Sequence, residues 1–468
     1  MAESAAAICD VLTAQLPGAV TTQNSSDYKA AQEQPWSPTC WLPAACYVRP
    51  KNTAEVALVV KSITQAGSKF AVRGGGHNAN PGVNGVSSPG VVIDLRNLTS
   101  MSVGEDGVLH VGSGAKWGEI YTYLEKKNLT AIGGRNNDVG IGGYMLGGGM
   151  PAFPNLHGLA VDSLKSAEVV LADSSVVTAS SKENPDLLRA LKGGGTNFGI
   201  VTRYDIQTYP LIQTQYTVNI YNTADYDNIH NATANLQKAM EEDPKIGAFV
   251  NVQATFVAVG LLYAEWTAER PKAFDEFFNL GSLLQAAVPT TNGTIKSLVD
   301  SLDLLGENYR RAHATTSSTV SKQLYVQVHE LRNELRGAHP KMANLSYTIQ
   351  PLSTTAIQIG QDRGTNTMGI QNVPQSVWAF LVEWNDAADD AEAEQVLNEL
   401  TEGMKSLASA DGLLLDFIFM NDASAKQQVL ASYGPDNVKQ LRDTAAKYDP
   451  QGVFQELQND GFLLRNIA

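Results

Sequence analysis

The chain has 468 residues, of which 43% are apolar and 18% charged, and its formal net charge is −14. That length exceeds one ordinary core and predicts two domains or one large nested one, while the composition excludes disorder and a long coiled coil. An acidic balance argues against nucleic acid as a partner, and the longest apolar stretches, such as 256–264, fall far short of the roughly 20 residues that span a bilayer, so a soluble protein without a membrane partner is expected.

Val56, Val59, Val60 and Ile63 recur at helical spacing behind Asn52 and Thr53, and Gly67 closes the pattern, which predicts a helix over 52–66. A short strand over 70–73 then runs into Gly74-Gly75-Gly76-His77-Asn78. Strands are expected at 91–95 and 108–111, a helix around 116–127, and a glycine-dense stretch over 133–149. A hairpin of 166–171 and 176–179, joined by Ala172-Asp173-Ser174-Ser175, precedes a helix at 185–191 and a strand at 198–208. A first boundary falls near Pro210. Beyond it glycines thin out, long alternating strands appear at 249–265 and 377–384, and amphipathic helices lie near 227–240, 321–336 and 388–408. Strands and helices in separate runs suggest an antiparallel sheet backed by helices, hence an α+β fold. The segment 427–454 turns helical, and its polarity suggests a return to the first domain. The expected division is therefore 1–210, 211–422 and 423–468.

Cys9, Cys40 and Cys46 crowd into the first tenth of the chain without zinc-site spacing, so no metal is expected and one disulfide with one free thiol fits. Six Asn-x-Ser/Thr sequons, at Asn24, Asn97, Asn128, Asn231, Asn292 and Asn344, fit a secretory history, with a cytoplasmic protein as the alternative. The segment 5–14 is interrupted by Asp10 and lacks a basic flank, so secretion requires that a leader has been removed.

A strand that ends in three glycines, His and Asn offers bare backbone N–H groups to an anion, although for one such loop alone a simple glycine-rich turn with an exposed His is the better explanation. Two more change the balance: Gly140-Ile-Gly-Gly-Tyr-Met-Leu-Gly-Gly-Gly149, and Leu191-Lys-Gly-Gly-Gly-Thr-Asn-Phe-Gly-Ile-Val-Thr202. Three such loops, each beside a strand, would let one extended cofactor lie against bare backbone. Neither the Gly-x-Gly-x-x-Gly spacing of a Rossmann unit nor a Gly-x-x-x-x-Gly-Lys phosphate loop occurs, and a Gly-x-Ser-x-Gly elbow and His-Glu-x-x-His are missing as well.

The run from Cys46-Tyr-Val-Arg-Pro50 through Phe70-Ala-Val-Arg-Gly-Gly-Gly-His-Asn78, followed by Gly147–Gly149, Gly158-Leu-Ala-Val-Asp162 and residues 190–202, resembles the FAD-binding domain of the berberine-bridge-enzyme-like oxidases of the vanillyl-alcohol-oxidase superfamily. Tyr448-Asp-Pro-Gln-Gly-Val-Phe454 resembles that group's closing signature in its fungal form, whereas 209–416 matches only loosely. The resemblance implies FAD held between an FAD-binding domain and a substrate domain whose sheet covers the isoalloxazine, with a covalent link through His77. It places the FAD contacts at Arg73, Gly74, Gly75, Gly76, His77, Asn78, Val139, Gly140, Gly142, Gly143, Leu146, Gly147, Gly199, Ile200 and Val201. Asn136 stands where relatives carry a second, cysteine link, so a second link is not expected. A small residue at the Val139 position leaves room for O₂ in this family.

The implied reaction is two-electron oxidation of a small organic molecule, in which O₂ becomes H₂O₂. Alcohol, sugar, alkaloid and polyketide-derived substrates all fit the fold, and the alternatives are a cyclase or isomerase of a biosynthetic pathway and a secreted binding protein with a vestigial flavin. The resemblance also implies a Cys9–Cys46 disulfide. Phe417-Ile-Phe-Met-Asn-Asp-Ala423 is similar to the family's strand bearing Asn-Tyr-Ala, which makes Asp422, preceded by Asn421, the expected base. A competing reading has Asn421-Asp422 capping a helix that begins near Ser424, and the stretch 362–366 is the next place to look for a base.

Overall fold

The computed structural model describes residues 5–302 and 308–467. The helix predicted over 52–66 runs Thr53–Ala66: the Asn52 side chain accepts the Glu55 N–H at one end, and Gly67 closes the other in the left-handed conformation, at φ 62°. Its buried stripe of Val56, Val59, Val60 and Ile63 packs on a four-stranded sheet of order Val20–Thr22, Cys46–Val48, Val91–Asp94, Phe70–Arg73. Cys46–Val48 and Phe70–Arg73 both run parallel to Val91–Asp94, which sets the end of Phe70–Arg73, and so the triple glycine, at one edge of this layer. Cys9 and Cys46 form the disulfide that the resemblance implies and tie the helix Ala5–Gln15 to the sheet, while Cys40 is free and buried.

An antiparallel five-stranded sheet follows, in the order Met101–Val103, Val108–Gly112, Ile200–Gln207, Leu164–Val170, Val176–Ser180. Its last two strands are the predicted hairpin. The chain then builds an antiparallel eight-stranded sheet, in which the central neighbours are Phe256–Tyr263, Ile246–Val252, Ser346–Leu352, Gln375–Trp384 and Arg310–Thr319. The single strand expected over 249–265 is in fact the hairpin Ile246–Val252 and Phe256–Tyr263, turned at Gln253, whose N–H donates to the Phe256 carbonyl at 2.9 Å. The buried positions record the break, because they fall on Val250 and Val252 before the turn and on Val257, Val259 and Leu261 after it, a slip from even to odd.

One face of this sheet is apolar. Tyr347, Ile349, Trp378, Phe380 and Val382 pack beneath the helices Tyr226–Glu242, Lys322–Ala338 and Asp390–Ala410. Side chains alternate along a strand, so Ser346, Thr348 and Gln350 point to the opposite face, toward the glycine loops. The C-terminal segment returns to the four-stranded sheet: Phe70 N donates to Leu457 O at 3.0 Å, and Asn459 N donates to Phe70 O at 2.7 Å. Among the described residues no helix is long and apolar enough to cross a membrane, and no group of three His, Cys, Asp or Glu could hold a metal ion.

Candidate active site

A cavity of about 500 Å³ lies between the glycine loops and the polar face of the eight-stranded sheet. On the glycine side, two loops press backbone against backbone. A Cβ on Gly75 would lie 2.5 Å from Gly140 N, and one on Gly140 would lie 2.5 Å from Gly75 N, so neither position accepts a side chain. The Gln34 side chain donates to Gly75 O at 3.1 Å, and Trp36 N donates to Gly76 O at 3.0 Å. These bonds aim the loop. His77 then stacks on the Trp36 ring, with centroids 5.3 Å apart and planes 17° from parallel.

Thirteen of the fifteen predicted cofactor contacts line this cavity: Gly74, Gly75, Gly76, His77, Asn78, Val139, Gly140, Gly142, Gly143, Leu146, Gly199, Ile200 and Val201. Arg73 does not. Alternation along Phe70–Arg73 gives the cavity to Val72 and turns Arg73 into the core, where its guanidinium donates to Ala31 O and Asn84 O and lies over the Tyr47 ring. Gly147 is the second correction, since it faces the Asn421 amide, which a Cβ would meet at 2.4 Å.

The cavity fits an extended dinucleotide. Ser113 Oγ and Gln458 Oε1 are buried on residues that line it and have no hydrogen-bond partner, and the glycine loops add bare peptide N–H groups. Ribose hydroxyls and a pyrophosphate would satisfy such a set.

The opposite wall carries the ionisable groups. Met420–Asp422 forms one 3₁₀ turn, and no helix begins near Ser424, so the capping reading is overturned. The Asp422 carboxylate instead accepts a hydrogen bond from Gln350 Nε2 at 2.7 Å, and Gln350 Oε1 accepts in turn from the Arg135 guanidinium. Burial pushes the Asp422 carboxyl above its ordinary value, and this outweighs the Gln350 hydrogen bond and the opposing charges of His313 and Arg135. Asn421 lies on the cavity wall, but both ends of its amide are taken: its oxygen accepts from Gly149 N at 2.9 Å and its nitrogen donates to Gly143 O at 3.1 Å. It is a positioning residue that fastens the glycine stretch.

Sequence reasoning did not find His313, Gln350 or Arg135. His313 projects from Arg310–Thr319 with Nε2 3.0 Å from Ala423 O, and because a carbonyl only accepts, Nε2 is assigned the hydrogen. Burial lowers the His313 pKa, which favours a neutral ring with a lone pair on Nδ1. The stretch 362–366 is corrected too. Thr365 and Asn366 line a separate cavity of about 170 Å³ beside Asp162 and Arg189, away from this site.

A family model described as an FAD binding domain matches residues 44–180. The FAD-dependent monooxygenase macF of Penicillium terrestre is 35% identical over 451 residues, which cover 95% of this chain and 86% of that protein. The bifunctional solanapyrone synthase of Alternaria solani is 31% identical over 462 residues, covering 97% and 88%. A solved structure of glucooligosaccharide oxidase from Acremonium strictum, concerned with its 6-S-cysteinyl, 8α-N1-histidyl FAD, matches with a TM-score of 0.80 at 19% identity over 98% of this chain and 99% of that one, which shows the shared fold. With such identity along nearly its whole length, a glycine-walled dinucleotide cavity and a sheet closing over it, the chain belongs to the FAD-dependent oxidoreductases of the vanillyl-alcohol-oxidase superfamily, in the berberine-bridge-enzyme-like group.

Proposed function

We propose that this oxidoreductase is a secreted oxidase of a small organic molecule, with FAD attached through His77 alone and O₂ as the acceptor that leaves as H₂O₂. The observation that carries the reading is the division of one cavity between a glycine wall that ends at His77 and a facing wall that bears Asp422 and His313. When bound, FAD supplies a two-electron acceptor that O₂ can reoxidise. Gly74 to Asn78, Gly140 to Gly143 and Gly199 to Val201 would hold it, and Ser113 and Gln458 would bond its polar groups.

Asp422 takes the substrate proton through the oxygen that Gln350 leaves open. Gln350 orients the carboxylate, and neutral His313 is a second acceptor on the same wall. Leu381, Phe419 and Met420 keep that end of the cavity apolar, which holds the carboxylate basic. Val139 lines the cavity as a short side chain and leaves space for O₂. Asn136 also lines it, and an amide in that place offers no thiolate for a second link. Five of the six sequon asparagines are exposed, all but Asn344, which supports secretion, and a mobility shift on endoglycosidase treatment after secretory expression tests it.

The deciding experiment is an anaerobic screen of small-molecule classes for flavin bleaching, with H₂O₂ assayed on readmission of air. Bleaching followed by peroxide is the expected result, and a flavin that no class reduces would refute the oxidase. The likeness to a protein named a bifunctional synthase favours a second reading, cyclisation or isomerisation, for which a rearranged product forms without net O₂ uptake. Acid precipitation should leave the flavin colour in the pellet for the wild type and in the supernatant for His77→Ala. Colour pelleting normally with His77→Ala would remove the attachment site.

A further inference from the structure

The oxidation proposed above leaves Arg135 without a task. Its side chain is partly buried and lines the cavity, and of its donors one is used, by Gln350 Oε1. Burial lowers its pKa, and of the groups that oppose this, Tyr144, Asp422 and Tyr121, only Asp422 is a carboxylate, and it stands on the far side of the Gln350 amide. Tyr144 beside it offers no anion, because burial pushes its phenol upward and its hydroxyl is itself a buried donor without a partner. A buried guanidinium is costly unless an acceptor satisfies it, and its fork of N–H groups matches a planar oxyanion. Gln350 makes the vacancy usable. By bonding Arg135 with one end and Asp422 with the other, it stands between cation and carboxylate and leaves the remaining guanidinium N–H groups, on a residue that lines the cavity, without a protein acceptor.

We infer that Arg135 is an oxyanion subsite, so that the substrate of the proposed oxidation is an acid: a phenol, enol or carboxylic acid that lays its ionised oxygen on the guanidinium while its reacting hydrogen faces Asp422. The inference rests on the proposed oxidation for its second half. An oxygen of the bound flavin carries the same chemistry, and the experiment separates the two sources.

Benzoate and benzamide share a shape and differ in charge, so their affinities for the flavin-loaded protein, measured by calorimetry at neutral pH, read the subsite directly. The wild type should bind benzoate at least about tenfold more tightly than benzamide, the scale of a charge-assisted bidentate contact. Arg135→Gln should erase that preference at unchanged flavin content. Arg135→Lys, which keeps the charge but loses the fork, should retain part of it, and it serves as the test if the Gln variant does not fold. No preference for benzoate in the wild type, or an undiminished preference in the folded variants, overturns the subsite. So does an unchanged benzoate preference in Arg135→Gln accompanied by a sulfite affinity of the ligand-free flavin weakened about tenfold or more, because the oxygen served is then the flavin's. Failure of the oxidase reading shows elsewhere, as a flavin that no substrate bleaches, and leaves the benzoate ratio standing.

Discussion

On the glycine wall of the cavity backbone meets backbone, at Gly75 against Gly140, and the residues there matter for the side chains they lack. On the sheet wall the working groups are side chains, carried by Arg310–Thr319, by Ser346–Leu352 and by the turn Met420–Asp422, three segments far apart in sequence. The first wall suits a large flat cofactor lying close to peptide groups. In the proposed function the second supplies the acid–base groups, and the strands can exchange those groups without disturbing the helices packed on their other face. Cofactor holding and substrate chemistry are thus separable, and damage to one wall should leave a different signature from damage to the other.

The largest effect is expected from Gly140→Val. Its Cβ alone would lie 2.5 Å from Gly75 N, and the two added methyls must force the loops apart, an overpacking cost of about 3 kcal/mol or more. Flavin absorbance per mole of protein should fall below about a tenth of wild type, whereas Thr348→Ala on the facing wall, which gives up the hydrogen bond from Asn251 Nδ2 at 2.7 Å, should cost about 1 kcal/mol and keep its flavin. Equal flavin content in the two variants would erase the distinction between the walls.

Cys46→Ser comes next. It opens a disulfide across a separation of 37 residues, worth ~4 kcal/mol on the chain-entropy model, and it does so beneath the sheet that carries the Gly74–Gly76 turn. The midpoint of thermal unfolding should fall by several degrees, with loss of flavin environment preceding loss of the sheet wall. An unchanged midpoint contradicts the role given to the bond.

Asp422 supplies the smallest change in stability and the most specific signature. Its folded-state pKa is raised above the ordinary carboxyl value, so the folded protein holds the proton more tightly than the unfolded chain does, and stability falls as pH rises from the ordinary carboxyl range through the raised value. Above that window the ionised group remains destabilising. Asp422→Asn should therefore raise the unfolding midpoint at neutral pH, while in the wild type the rate of flavin reduction should climb with pH about a midpoint above the ordinary value near 3.9. A midpoint at or below that value would contradict burial as the dominant influence on the carboxyl.

The glycine wall was legible because its constraint is local: a close approach of two backbones imprints glycine runs that any reader of the sequence can find. Arg73 was misjudged for want of one step, since alternation along Phe70–Arg73 gives Val72 to the cavity and the arginine to the core. The hairpin hidden in 249–265 was readable in the slip of its apolar phase at Gln253. The sheet wall was harder for a physical reason. Polar residues at alternate positions, such as Ser346, Thr348 and Gln350, look the same whether a face meets water or closes over a cofactor, and only non-local pairing decides between them. His313 sits in a strand of mostly polar residues, and nothing local distinguishes it. Asp422 was reached through a family pattern, and its contact with Gln350, seventy-two residues away, is what separates a buried acid from a helix cap.

The most direct test of two walls with separate tasks is the rate of anaerobic flavin bleaching in Asp422→Asn, measured by stopped flow with a substrate from the screen. The variant should keep its fold and its flavin content, neither of which is assigned to Asp422, and should bleach about 10²–10⁴-fold more slowly than the wild type, the usual cost of removing a positioned base. A folded, fully flavinylated variant that bleaches at more than about a tenth of the wild-type rate would contradict the account, because proton abstraction would then lie with His313 or another group rather than with Asp422.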